Sequence, residues 1–281
     1  MASPNVVVSD GHGFVEGPVC LPDGGLAFVD MSNGLVVELD GDGVVRRRHR
    51  VGGGPNGLAV DATGRLYVAQ NGGIWAATEQ AEPGVQVIAD GAVEYLVSGL
   101  DAPNDLVFGP DGNLWLTDSR GEANFVDPES FLPGRVFRIN PSSGAFDLVI
   151  EGPRFVNGIG FDPAGSSLYV TATAEASLLA CPVRDGVVGE LALVHRLVNG
   201  YPDGLAVDQE GRIWLATTAG DSVLVINRDG TVADEFAIGV GSLPTNVALM
   251  PNADGFNAVV TAAHTGQIIA ISGDRTLGGT A

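Results

Sequence analysis

The sequence predicts an all-β chain folded as a six-bladed β-propeller with four-stranded blades. One unit recurs six times, the copies lie 40 to 53 residues apart, and each gap holds two further short apolar runs. A unit of that length made of about four short strands is a propeller blade.

The copies read VEGPVCLPDGGLAFVD (15–30), GPNGLAVDATGRLYVAQ (54–70), APNDLVFGPDGNLWLTD (102–118), VNGIGFDPAGSSLYVTAT (156–173), YPDGLAVDQEGRIWLAT (201–217) and LPTNVALMPNADGFNAVVTAA (243–263). Each is an opening turn, an apolar strand, a Pro/Asp/Gly turn and a second apolar strand. Outer hairpins follow, for instance LVVELDGDGVVRRRHR after the first copy, with Asp-Gly at the turn. Six copies fill residues 1–281 as one domain. The terminal run GQIIAIS is expected to pair with the opening VVVS, closing the ring and removing exposed edges.

Composition narrows the function. The chain has 281 residues, 41 of them Gly, and a formal net charge of −20; all 14 basic residues are Arg. Such a surface repels nucleic acid and anionic membranes. The N-terminus lacks the charged and apolar regions of a signal peptide, and no run is long enough to span a bilayer, so a cytoplasmic location is expected. Cys20 and Cys181 match no metal or redox spacing and are expected to be buried thiols. There is no GxSxG elbow and no convincing Cys/His pair, which argues against nucleophilic Ser or Cys catalysis.

The repeat places residues by face. With the first strand of each blade lining the channel, the second residue of each opening turn converges on the axis: Glu16, Asn56, Asn104, Asn157, Asp203 and Thr245. Around them should stand Asp30, Asn71, Asp118, Ser119, Thr173, Thr218 and His264. Asp23, Asp61, Asp111, Asp162 and Asp208 fall on the opposite face as turn residues. Turn chemistry explains Asn before Gly but not Glu16, and carboxylates meeting on one axis repel unless a cation separates them. A single divalent ion is therefore expected. Oxygen donors without His or Cys favour calcium over magnesium and manganese and argue against zinc, without closing any of these alternatives.

These segments resemble the SMP-30/gluconolactonase/luciferin-regenerating-enzyme-like family of six-bladed propellers. The resemblance spans essentially the whole chain and rests on VEGPV, PNDLVFGPDGNLWLTD, NGIGFDPAGSSLYVT, PDGLAVDQEGRIWLA and PTNVAL in this order. It implies a divalent metal on Glu16, Asn157 and Asp203, with Asn104 contacting metal or substrate and Asp203 as general base. It also implies hydrolysis of lactones, and in relatives of other esters or organophosphates. Sugar-lactone members carry an Arg where this chain has Ala102; a second polar contact in them would fall near Glu122. Residues 119–135 are expected to form a lid over the pocket, with Phe125, Val126, Phe131 and Leu132 on it and Phe155 and Tyr201 nearby. These aromatics either pack the lid or make an apolar wall for a substrate more hydrophobic than a sugar lactone. His264 is expected to face the pocket as an auxiliary acid or base, or as a structural histidine. Asp118, Glu122, Phe131, Phe155 and Tyr201 complete the expected substrate contacts. The competing classes are an organophosphatase or metal-assisted lyase on the same site, and a non-catalytic metal- and ligand-binding propeller.

Overall fold

The innermost strands of the six blades are Val15–Cys20, Pro55–Val60, Pro103–Phe108, Val156–Phe161, Tyr201–Val207 and Pro244–Asn252. The structure is a computed structural model and describes residues 5–121, 124, 126–252 and 255–272. Each innermost strand begins an antiparallel sheet of consecutive strands, and these sheets form six blades. The blades are built from period-two runs whose β-branched and aromatic residues suit a pleated, half-buried surface.

Blade four departs from four strands. Its third strand, Ser177–Arg184, pairs with both Val187–Val188 and Ala192–Arg196. The sixth blade takes its outermost strand from the other end of the chain: Val6–Ser9 lies antiparallel to Gln267–Ser272, with Val6 opposite Ala270. The expected closure is thus present, and it covers the edge that Gln267–Ser272 would otherwise expose.

The core is a ring of six apolar clusters, each filling the gap between two neighbouring blades. Tyr67 and Val85 meet Leu114 and Phe137 between blades two and three. Trp115 meets Ile159 and Val170 between three and four, and Val259 and Ile268 meet Phe28 and Val37 between six and one. Burial of this kind contributes about 1.5–3 kcal/mol per large apolar side chain. Among the two cysteines, Cys181 is buried and Cys20 half-buried, and both are free thiols.

The acidic turns of the opposite face are structural. Asp208 accepts from the Arg212 backbone at 2.8 Å and from Trp214 Nε1 at 3.1 Å. Asp61 accepts from Thr63 N at 2.9 Å and Arg65 Nε at 2.7 Å. Although burial raises the Asp61 pKa, the hydrogen bonds from Thr63 and Arg65 outweigh it and hold the group at about 2.

Candidate active site

Every innermost strand breaks register at its start. The pairing shifts between Glu16 and Val19, Pro55 and Leu58, Pro103 and Leu106, Val156 and Ile159, Pro202 and Leu205, and Pro244 and Asn246. The six aligned positions are therefore bulged strand residues rather than turn residues. A bulge bends the strand and re-aims a side chain. Here it brings Glu16, Asn56, Asn104, Asn157, Asp203 and Thr245 together as the polar lining of one axial cavity of about 300 Å³.

Neighbouring blades hold these residues in place. Thr117 Oγ1 donates to the Asn157 carbonyl at 2.6 Å, and Thr171 Oγ1 to the Asp203 carbonyl at 2.9 Å. Thr245 Oγ1 donates across the closure to the Val15 carbonyl at 3.0 Å. Asn104 Nδ2 donates to Ser119 Oγ at 3.0 Å, and Ser119 donates on to the Val156 carbonyl at 2.5 Å. That relay leaves Asn104 Oδ1 as the atom available to a ligand.

The ring is short of positive charge. Glu16 accepts from Gly17 N at 2.8 Å, yet burial pushes its pKa well up, and the Asp203 charge adds to the shift. Burial likewise raises Asp203 well above the carboxylate range, with Asp105 reinforcing it. Asn157 Oδ1 and Asp203 Oδ1 are buried and have no hydrogen-bond partner. Two orphaned oxygens beside two strained carboxylates form a donor set that a hard cation would satisfy. Among the described residues no three His, Cys, Asp or Glu side chains group as metal donors. The donors here are two carboxylates and two amides, Glu16, Asp203, Asn157 and Asn104, which such a grouping does not include.

One buried carboxylate was not anticipated. Asp105 follows Asn104, is 7% exposed, and burial raises its pKa to about 7. Asn246 Nδ2 approaches its Oδ2 at 3.4 Å from the opposite side of the propeller. The sequence did carry a signal: the residue after the ring position is Gly in four blades but Asp105 and Asn246 in blades three and six.

Several expected contacts fall elsewhere. Asp118 is fully buried, but it accepts from Ala102 N at 2.7 Å and Asp101 N at 3.3 Å and pairs with Arg135 at 2.9 Å. It braces the backbone below Ala102 and does not line the cavity. His264 is exposed, because the second strand of blade six ends at Ala262 and residues 263–266 turn away; it too is outside the cavity. Phe131 is buried behind the wall, edge-on to Phe155 at 5.3 Å. Phe155 and Tyr201 do line the cavity, joined by Phe14, Met31, Trp75 and Leu243. Glu122 and Phe125 lie outside the described residues. Val126 and Leu132 of the expected lid are exposed. A larger groove of about 540 Å³ opens between blades one and two on the other face. Its Asp23 and Glu38 are already paired with Arg46, so it has no comparable set of unmet donors.

The profile of the SMP-30/Gluconolactonase/LRE-like region family matches residues 14–264. The chain belongs to this family. It is 26% identical over 242 residues to the lactonase drp35 of Staphylococcus epidermidis, covering 82% of this chain and 71% of that one. It is 26% identical over 272 residues to the pentonolactonase XacC of Haloferax volcanii, covering 94% and 86%. A solved gluconolactonase structure from Xanthomonas campestris superposes with a TM-score of 0.78 at 23% identity, covering 95% of this chain and 88% of that one. At that identity the likeness speaks for the fold.

Proposed function

We propose that this protein is a divalent-metal-dependent lactonase whose ion, calcium by donor chemistry, is held by Glu16, Asn157 and Asp203 with Asn104 beside them. Membership of the family and its lactonase relatives support a lactonase-type hydrolase. The observation that carries the metal is the pair of orphaned buried oxygens, Asn157 Oδ1 and Asp203 Oδ1, inside a ring of carboxylates and amides. When bound, the ion supplies Lewis-acid polarisation of the ester carbonyl, the role that backbone donors play in a serine hydrolase.

The chain's own residues do the rest. Asp203 takes the proton from the attacking water. A cation would lower its pKa, while burial and the charge of Asp105 push the other way and preserve some basicity. Asn104, fixed by Ser119, orients the substrate over the ring. The apolar wall of Phe14, Met31, Phe155 and Leu243 excludes water from the ester. Ala102 offers no guanidinium, and among the described residues no Arg lines the cavity to meet a polyhydroxylated substrate.

The test is a pH-stat panel of sugar, aliphatic and aromatic lactones with and without chelator. Hydrolysis that stops with chelator and returns with calcium is expected. Absence of chelator-sensitive hydrolysis of every lactone and ester would remove this reading and favour a binding propeller.

A further inference from the structure

The residue two places before each ring position is Phe14, Gly54, Ala102, Phe155, Tyr201 and Leu243 around the six blades. The four large ones line the cavity above the polar ring. The two small ones fall on neighbouring blades two and three and do not line the cavity; Asn71 fills the space beside Gly54.

Trp75 comes from the loop after Leu66–Gln70 in blade two, lines the cavity, and its ring lies 5.3 Å from Phe155 of blade four, tilted by 52°. The indole thus reaches from the blade-two loop to the blade-four wall. Its Nε1 is buried without a hydrogen-bond partner, although a buried indole N–H ordinarily finds one. Among the described residues, packing sets the ring there. The wall is also built from unfavourable backbone: Phe155 has φ +53°, Leu243 +54° and Ala219 +56°, and Ala76 beside Trp75 has +48°. Left-handed conformations in residues with a Cβ persist only where surrounding structure enforces them, and they concentrate at functional sites.

We infer that Trp75, backed by Phe155, is the specificity-determining wall of the cavity and selects lactones bearing a compact apolar substituent, aryl or short alkyl. The inference rests on the lactonase reading and extends it to a substrate class. The ester group sits over the amide and carboxylate ring, and the substituent lies against the indole face. A cavity of about 300 Å³ is at the small end for ligand sites, which suits a monocyclic lactone with one such group and excludes long acyl chains.

The test uses the full chain, Trp75→Phe and Trp75→Ala, with γ-phenyl-γ-butyrolactone and unsubstituted γ-butyrolactone. Binding is read first. Trp115 and Trp214 are 0% and 1% exposed and belong to the packed core between blades, so a ligand-dependent fluorescence change reports Trp75. A saturable change with the phenyl lactone is expected in the native chain and is lost in Trp75→Phe. Hydrolysis is read second: the native preference for the phenyl lactone in kcat/KM should fall about tenfold in Trp75→Ala, mainly through KM, and be largely kept in Trp75→Phe. No saturable fluorescence change, or an unaltered preference in Trp75→Ala, overturns the inference. Saturable binding without hydrolysis of either lactone supports the wall, and the wider lactone panel then decides the lactonase reading.

Discussion

Asn246 and Asp105 meet across the propeller axis, Nδ2 to Oδ2 at 3.4 Å, one from blade six and the other from blade three. They close the channel beneath the ring of six aligned side chains. Glycines of blades two and five make this possible: a Cβ on Gly57 would stand 2.5 Å from Asp105 Oδ1, and one on Gly204 would stand 2.0 Å from Asn246 Cγ. Asp105 thus adds a third carboxylate beneath Glu16 and Asp203, both of which feel its charge.

Replacing Asp105 with Asn preserves its shape and removes that charge. At pH 8, the cation-free variant should melt several degrees above the native chain, since repulsion on Glu16 and Asp203 is relieved. Calcium affinity should fall about tenfold as attraction for the ion weakens. Calorimetric melts with chelator, paired with calcium titration, read both effects. An unchanged melt and an unchanged affinity together would put Asp105 outside electrostatic reach of the pair.

The same carboxylates give the cation-free protein a defined pH response. Glu16, Asp105 and Asp203 all have raised pKa values in the folded chain, about 7 for Asp105. The unfolded chain releases these protons near pH 4. Stability from the protonated groups is fully present below about pH 4 and is lost as pH rises through the folded values. In chelator, the melting temperature should decline from pH 5 to 8, and saturating calcium should cancel the decline. Calcium binding near pH 6 should release protons, measurable as a buffer-dependent binding heat. A level melting profile in chelator would contradict the assignment.

Gly57→Ala tests the floor sterically. The new methyl meets Asp105 Oδ1 at 2.5 Å, Asp105 Cα at 2.6 Å and the Asn104 carbonyl at 2.9 Å, so backbone must move. Overpacking of this kind costs about 1–3 kcal/mol, and the displaced Asn104 and Asp105 should weaken calcium binding as well. Gly41→Ala, exposed and with its nearest neighbour 4.0 Å away, is the control and should stay within about 0.5 kcal/mol. Denaturant melts of the two variants make the comparison.

The fold and the inner ring were legible because a repeat fixes register: once the copies align, Glu16, Asn157 and Asp203 must share a face and an end of the channel. Strand ends were less legible. Asp118 sits at the expected height, but its carboxylate turns to the Asp101 and Ala102 amides and to Arg135, a choice set by local hydrogen bonding rather than by the repeat. Trp75 was invisible for the opposite reason. It lies in a loop outside the repeat, and its place is marked by a ring contact with Phe155 two blades away.

His264 illustrates the consequence of a strand ending early. The residue that periodicity put inside the pocket stands on an exposed turn, its backbone N–H donating to the Ser242 carbonyl at 3.2 Å. His264→Ala should therefore leave kcat/KM on the best lactone within about twofold, across the pH range where an imidazole titrates. A loss of an order of magnitude would return this histidine to the mechanism.

Asp203 has two proposed duties that a single variant can separate. Asn at this position keeps one oxygen for the ion but has no carboxylate to accept a proton from water. Asp203→Asn should still bind calcium, weakened about tenfold or more by the lost charge, while turnover falls by at least about 10² even at saturating calcium, as removal of a general base requires. Asp203→Ala should lose both binding and turnover. Rates are measured at calcium concentrations well above each variant's own dissociation constant, so that occupancy and chemistry are not confused. Near-native kcat in Asp203→Asn under those conditions would leave Asp203 as a ligand only and assign the base elsewhere in the ring. Asp105, the remaining carboxylate beneath the ion, would then be the residue to replace next.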